Sequence, residues 1–148
     1  MKNTILPLII YGVLYNWPAA SSSCPAGWHL PSDAEWAELA DFIKNDGYPG
    51  TEGTALKAAN GWNCGTKGTD VYGFAALAGG VRSYGNGAFF DIGLYSNWWT
   101  STTGNECCIA YRDLVCSHSV LGGSPGWAQI GRILYTLHKR LNKQLKPL

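Results

Sequence analysis

Five cysteines and three histidines are the residues of this chain best suited to chemistry. Cys24, Cys64, Cys107, Cys108 and Cys116 could bind a metal, form disulfides or act as reactive thiols, and His29, His118 and His138 could join them. A zinc site needs ligand pairs at spacings such as C-x2-C or H-x3-5-H, and the chain has none. Neighbours in a strand point to opposite faces, so the adjacent thiols of Cys107 and Cys108 do not converge on one ion. His29 reads as a structural histidine. A disulfide such as Cys24 to Cys64 would use two of the five thiols, but the leftover cysteines do not match a fully oxidised secreted scaffold. No cofactor and no metal are expected, and the cysteines leave the redox compartment open.

These residues must be held by 148 residues in all, of which 46% are apolar and only 14% charged. That composition fits one globular domain with one core and excludes a disordered or collagen-like chain. With 19 Gly, 7 Pro, 7 Trp and 8 Tyr, it also predicts many turns around an aromatic-rich body. The net charge of +1 hides an asymmetry: Lys139, Arg140, Lys143 and Lys146 give residues 138–148 four cations and no acid, which leaves residues 1–137 mildly acidic. The body has no second basic cluster to extend a nucleic-acid footprint, so nucleic acid is not an expected partner. The domain is read as 1–137 and the basic tail as 138–148. Within the tail and its approach, Leu137, Leu141 and Leu145 recur at helical spacing, a pattern open to two readings: an amphipathic helix that packs on a neighbour in a homo-oligomer contact, or a frayed tail. The apolar run at residues 4–10, after Lys2, fits either the end of a signal peptide or a buried first strand. The strand is preferred because no small-residue cleavage site follows, and the run is far too short to cross a membrane.

The helices are expected in the first half. Ser32 stands three residues before Glu35, a capping box, and Trp36, Leu39, Ala40 and Ile43 then recur at helical spacing until Asn45-Asp46-Gly47. Residues 54–59 are rich in helix formers and are followed by Asn60-Gly61, which predicts a second short helix, with Trp62 packing beside the first. From residue 72 the pattern changes to short runs broken by glycine, at 72–78, 88–94, 97–102, 108–116 and 127–137. Helices followed by strands predict an α+β domain with antiparallel pairing.

Four segments then carry a family resemblance: Tyr11-Gly12-Val13-Leu14-Tyr15-Asn16-Trp17, the stretch from Cys24-Pro25-Ala26-Gly27-Trp28-His29-Leu30-Pro31 to Trp36, Tyr72-Gly73-Phe74 through Gly79-Gly80-Val81-Arg82, and Asn97-Trp98-Trp99-Thr100-Ser101-Thr102. Together, from about residue 11 to residue 135, they resemble the Fibrobacter succinogenes major paralogous domain. The resemblance implies a C-type-lectin-like fold, with two helices packed on short antiparallel strands and long loops. The stretch after Gly-Gly-x-Arg is similar to the variable region of diversity-generating retroelement target proteins, which display hypervariable side chains on such a scaffold. Adenine-directed mutation of Asn-type codons yields many residue types but not Trp, Met, Lys, Gln or Glu at a fully randomised position. Residues 81–126 have no Lys, Gln or Met, a single Glu (Glu106), and Trp only at 98 and 99 in the framework motif.

The slots that the family pattern leaves free are Ser83, Tyr84, Phe90, Asp91, Leu94, Tyr95, Asn97, Cys107, Cys108, Ala110, Tyr111, Asp113, Val115, Cys116, His118, Val120, Gly122 and Ser124. The resemblance makes them the ligand-binding set, and it makes the cysteines among them chance thiols that need no partner. Tyr84, Phe90, Tyr95 and Tyr111 are the expected anchors, because aromatic rings give a large contact area with few rotors. Trp28, Trp36, Trp62 and at least one of Trp98 and Trp99 are read as core, and Arg82, Arg112 and Arg132 as framework residues that bond backbone carbonyls. Family members commonly end in a strand with a cysteine. The segment here, Ile130-Gly131-Arg132-Ile133-Leu134-Tyr135, lacks it, which puts a family disulfide from Cys24 in doubt.

The function implied is binding of a protein or glycan ligand on a cell or phage surface, with the chain associated with a virion or a bacterial surface. An undiversified domain of the same fold is the alternative. A cysteine oxidase like the fold's formylglycine-generating relative is disfavoured by the Cys107-Cys108 geometry, so no enzyme is expected. The Glu-Pro-Asn and Trp-Asn-Asp runs of calcium-dependent lectins do not occur.

Overall fold

Ser32, Asp33 and Glu35 build the helix start that their spacing predicts. In a computed structural model, which describes residues 10–65, 67–83, 85–104 and 108–129 and 133–136, with backbone alone for 124–129 and 133–136, Ser32 Oγ accepts from the Glu35 amide at 3.2 Å. Glu35 Oε2 accepts from the Ser32 amide at 2.7 Å. These reciprocal bonds satisfy orphan donors of the first turn. The helix runs over Asp33–Asn45 and buries Trp36 and Ile43.

Among the described residues two further helices flank it. The first of the three, α1 (Trp17–Ser22), was not expected. Asn16 caps it by accepting from the Ala19 amide at 2.9 Å, and Pro18 in its first turn tolerates the missing donor. The capped helix is α2, and α3 spans Glu52–Leu56. This corrects the expected count of two helices and the expected span 54–59. Lys57 turns to an extended conformation (φ −65°, ψ 138°) and makes a parallel bridge with Ala76, which ends α3 early.

Among the described residues, seven short strands complete an α+β fold with two small antiparallel sheets. One holds β1 (Leu14–Tyr15), β2 (Val81–Ser83), β3 (Phe89–Phe90) and β7 (Ile133–Thr136) in the order β1-β7-β2-β3. The other holds β4 (Tyr95–Thr103), β5 (Cys108–Val115) and β6 (Gly122–Gln129) in chain order. Leu14 pairs with Thr136 and Tyr15 with Tyr135, so the first strand meets the last, and the expected order of helices before strands does not hold for β1. Residues 72–78, expected as a strand, form none beyond the Ala76 bridge: Ala75 takes a φ of 51° and its amide donates to Asp70 Oδ1 at 2.6 Å. The expected first strand at residues 4–10 falls almost wholly outside the described residues, and the tail at 138–148 falls entirely outside them.

Strand β4 divides the interior. Trp98 packs with Trp36, Ile43, Ala55, Leu56, Phe74, Ala76 and Leu114, while Trp99 packs with Ala20, Leu30 and Ile109. Trp62 is half-buried against the first group, in keeping with its expected packing near α2. Gly80 seats the edge of β2 beside β4. Its φ is +66°, its amide donates to Tyr95 O at 2.8 Å, and a Cβ there would collide with the Phe90 carbonyl. Arg82 Nε donates to Gly87 O at 3.1 Å, the backbone role expected of it. Arg112 also donates to a backbone carbonyl, Asp33 O at 3.2 Å from Nη2, and adds an ion pair to the same residue, with Nη2 2.7 Å from Oδ1. Arg132 lies outside the described residues. Among the described residues no helix is long and apolar enough to cross a membrane.

Candidate functional site

The register of β4 and β5 decides which of the free slots come together. Tyr95 faces Val115, Asn97 faces Asp113 and Trp99 faces Tyr111 across the ladder, and β6 sets Gly122 opposite Asp113 and Ser124 opposite Tyr111. Side chains alternate along a strand, so Tyr95, Asn97, Tyr111, Asp113 and Val115 share one face, while Ser96, Trp98, Arg112 and Leu114 take the other. That shared face is graded. At the Trp99 end it is core, with Tyr111 half-buried against the Trp99 group. Towards the other end Asp113 and Val115 are half-buried and Tyr95 is exposed.

Two turns border the open end. Residues 91–94 lead into Tyr95, residues 116–120 follow Val115, and the Cys116 amide ties them by donating to Leu94 O at 2.8 Å. Phe90, Asp91, Leu94, His118 and Val120 are exposed on β3 and these turns. Phe89 and Ile92 are exposed beside them, and no sequence signal singled them out. Gly80 holds the two sides together, touching the backbone of both Phe90 and Tyr95.

The polar groups of this face carry an electrostatic cost. Burial pushes the Asp113 carboxyl above its ordinary pKa, and the charges of His118 and Arg112 pull it back only in part. Gly122 lies so close that a Cβ there would stand 2.6 Å from Asp113 Oδ1. Burial, and then the Asp113 charge, push the Tyr111 phenol up. Beneath the 116–120 turn lies Lys57, a residue the sequence reading missed. It is wholly buried, its Nζ donates to Val115 O at 2.7 Å and to His118 O at 2.6 Å, and burial lowers its pKa to about 8. The one available signal was a lysine inside the otherwise apolar helix-forming run at 54–59.

Several expectations need correction. Cys116 is not a chance surface thiol: it is 5% exposed and bonded to Cys64, so its side chain does not reach a ligand. The Cys24 to Cys64 bridge that the sequence left possible is not formed, and Cys24 stands half-buried without a disulfide, as the doubt over a Cys24 bridge anticipated. Ala110 (4% exposed) and Asn97 (6%) are packed inside, so Asn97 belongs to the shared face by register but is closed to a ligand. Ser83, Cys108 and Gly122 are half-buried, with Ser83 on the other sheet. Tyr84 and Cys107 lie outside the described residues, and Ser124 is located by its backbone alone. His29 stands with Nε2 2.6 Å from Glu35 Oε1 at the start of α2. Among the described residues no group of three His, Cys, Asp or Glu side chains could hold a metal ion.

No curated protein and no solved structure matches the chain significantly. The model of the Fibrobacter succinogenes major domain matches residues 8–117, which span α1 to α3, strands β1 to β5 and the open end of the shared face, and the chain belongs to that family.

Proposed function

We propose that the chain is a ligand-binding protein of the C-type-lectin-like fold, with the open end of the β4–β5 face and its two bordering turns forming a hypervariable surface diversified by a retroelement. One observation carries this reading. Slots singled out as free along the sequence come together: Tyr95, Asp113 and Val115 at the open end of the β4–β5 face, with Phe90 on β3 and Asp91, Leu94, His118 and Val120 on the bordering turns, while Trp98 and Trp99 fill the core. Exposed aromatic and aliphatic side chains interleaved with Asp and His suit a protein or glycan ligand on a cell or phage surface, since the rings supply area and the polar groups adapt their bonds. Ligand binding here needs no metal and no catalytic step.

A second reading is favoured by Asn97, Ala110 and Cys116. These three supposedly free slots are packed or disulfide-bonded, as framework residues would be, and an undiversified domain of the same fold would need no free slots at all. Sequencing the gene across a cell population, together with its neighbouring DNA, separates the two. A near-identical template repeat and codon variation concentrated at Phe90, Asp91, Leu94, Tyr95, Asp113, Val115, His118 and Val120 is expected. No repeat, and no variation at those codons, overturns diversification and leaves the undiversified domain.

A further inference from the structure

Lys57 is an ammonium placed where a lysine is seldom found. It is wholly buried, and among the described residues the ion pairs are His29 with Glu35, Lys44 with Asp41 and Arg112 with Asp33, none of which involves it. A buried charge without a counter-ion is costly unless its protons are all used. Here they go to backbone oxygens of a single turn: Val115 O at 2.7 Å, His118 O at 2.6 Å and Cys116 O at 3.5 Å, with the Trp62 ring 4.7 Å from Nζ. The nearest acid along the chain, Glu52, is turned to the Gly50 amide at 2.9 Å. His118 is the titratable side chain on the turn itself. The same turn is approached from α3 by the Thr54 amide, which donates to Ser119 O at 2.9 Å, and by Gly53, where a Cβ would strike the Val120 carbonyl.

We infer that Lys57 is a positioning residue for the candidate ligand face: its ammonium gathers the carbonyls of Val115, Cys116 and His118 from inside and thereby fixes where His118 and Val120 stand at the rim. This rests on reading that face as ligand-binding. The Cys64–Cys116 bond anchors only the first residue of the turn, whereas the ammonium reaches two residues further. Loss of one proton leaves an amine with two donors in place of three, so the hold weakens without any change in packing.

The test is amide hydrogen exchange in the full chain, followed from neutral to alkaline pH and corrected for intrinsic rate, at Cys116 and His118, whose amides donate to Leu94 O and Val115 O. In the wild type these two amides should lose about tenfold in protection through a step near pH 8, where Lys57 titrates, while the β4–β5 amides keep theirs. Lys57→Met keeps the length and packing of the stem. It should show the low protection at every pH, with no step. Full protection of the turn in Lys57→Met, or the same step persisting in it, overturns the inference. Should that variant fail to fold, the wild-type profile decides alone, and the absence of a step confined to the turn overturns it. No ligand enters these readouts, so failure here leaves the face to its own population test, and failure of that test leaves the role of Lys57 in the turn to be judged by exchange.

Discussion

Trp98 and Trp99 are neighbours in β4, point to opposite faces of the strand, and are each 1% exposed. Alternation alone requires only that they part. Both are buried because α2 and α3 cover one face and α1 with Tyr15 covers the other, where Trp99 Nε1 donates to Tyr15 O at 2.9 Å. One strand thus serves as the wall of two cores through Ser96–Thr100, and it reaches solvent at Tyr95 on one end and at Ser101–Thr103 on the other.

That arrangement predicts a sharp contrast among aromatic truncations. Trp99→Ala and Trp36→Ala should each cost about 3–5 kcal/mol, because each removes a large side chain from a packed interior. Tyr95→Ala, at 38% exposure, should change stability by no more than about 0.5 kcal/mol. Urea unfolding of the three variants measures it, and equal losses would contradict the division between frame and face.

The Cys64–Cys116 bond closes a loop of 52 residues. Replacing both cysteines with alanine should lower stability by about 2–5 kcal/mol. Peptide mapping of the oxidised chain should recover Cys64 linked to Cys116, and a Cys24–Cys64 peptide in its place would refute the pairing.

Asp113 gives a pH dependence of defined sign. Its folded-state pKa lies above the free value of 3.8, so the folded chain retains a proton that the unfolded chain has already released. Stability therefore falls as pH climbs from 3.8 through the folded value, and the cost persists at neutral pH. Asp113→Asn should raise Tm at neutral pH, with the gain shrinking as pH drops towards 3.8. A thermal melt series that shows a lower Tm for Asp113→Asn at neutral pH would exclude this sign.

Gly80→Ala should be destabilising by at least about 1–3 kcal/mol from its left-handed backbone alone, with the collision against the Phe90 carbonyl added. Because Gly80 touches both Phe90 and Tyr95, the damage should extend to the face. Chemical-shift changes at Phe90, Ile92 and Tyr95 in Gly80→Ala check that, and an unperturbed face would argue against this glycine as the link.

Much of the frame was legible in the residues. The Ser32–Glu35 capping box and the apolar spacing after it located α2 because both signals are local and mutually supporting. Runs at 97–102 and 108–116 marked β4 and β5 for the same reason. The short helix α1 was missed: at six residues it carries too little periodicity, although Asn16 and Pro18 were its signal. Residues 72–78 misled because alternating small and aromatic residues look like a strand, whereas the positive φ of Ala75, held by Asp70, has no mark in the pattern.

By itself the sequence determined the capped helix, the two long strands and the parity of their side chains, all of which follow from neighbours a few residues apart. Tertiary structure alone decided that Cys116 pairs with Cys64, that Lys57 turns inward to three carbonyls, and that Asn97 and Ala110 are packed while Tyr95 is open. Each of these depends on which distant element comes to lie against a given face, and alternation fixes which residues share a face but not what covers it.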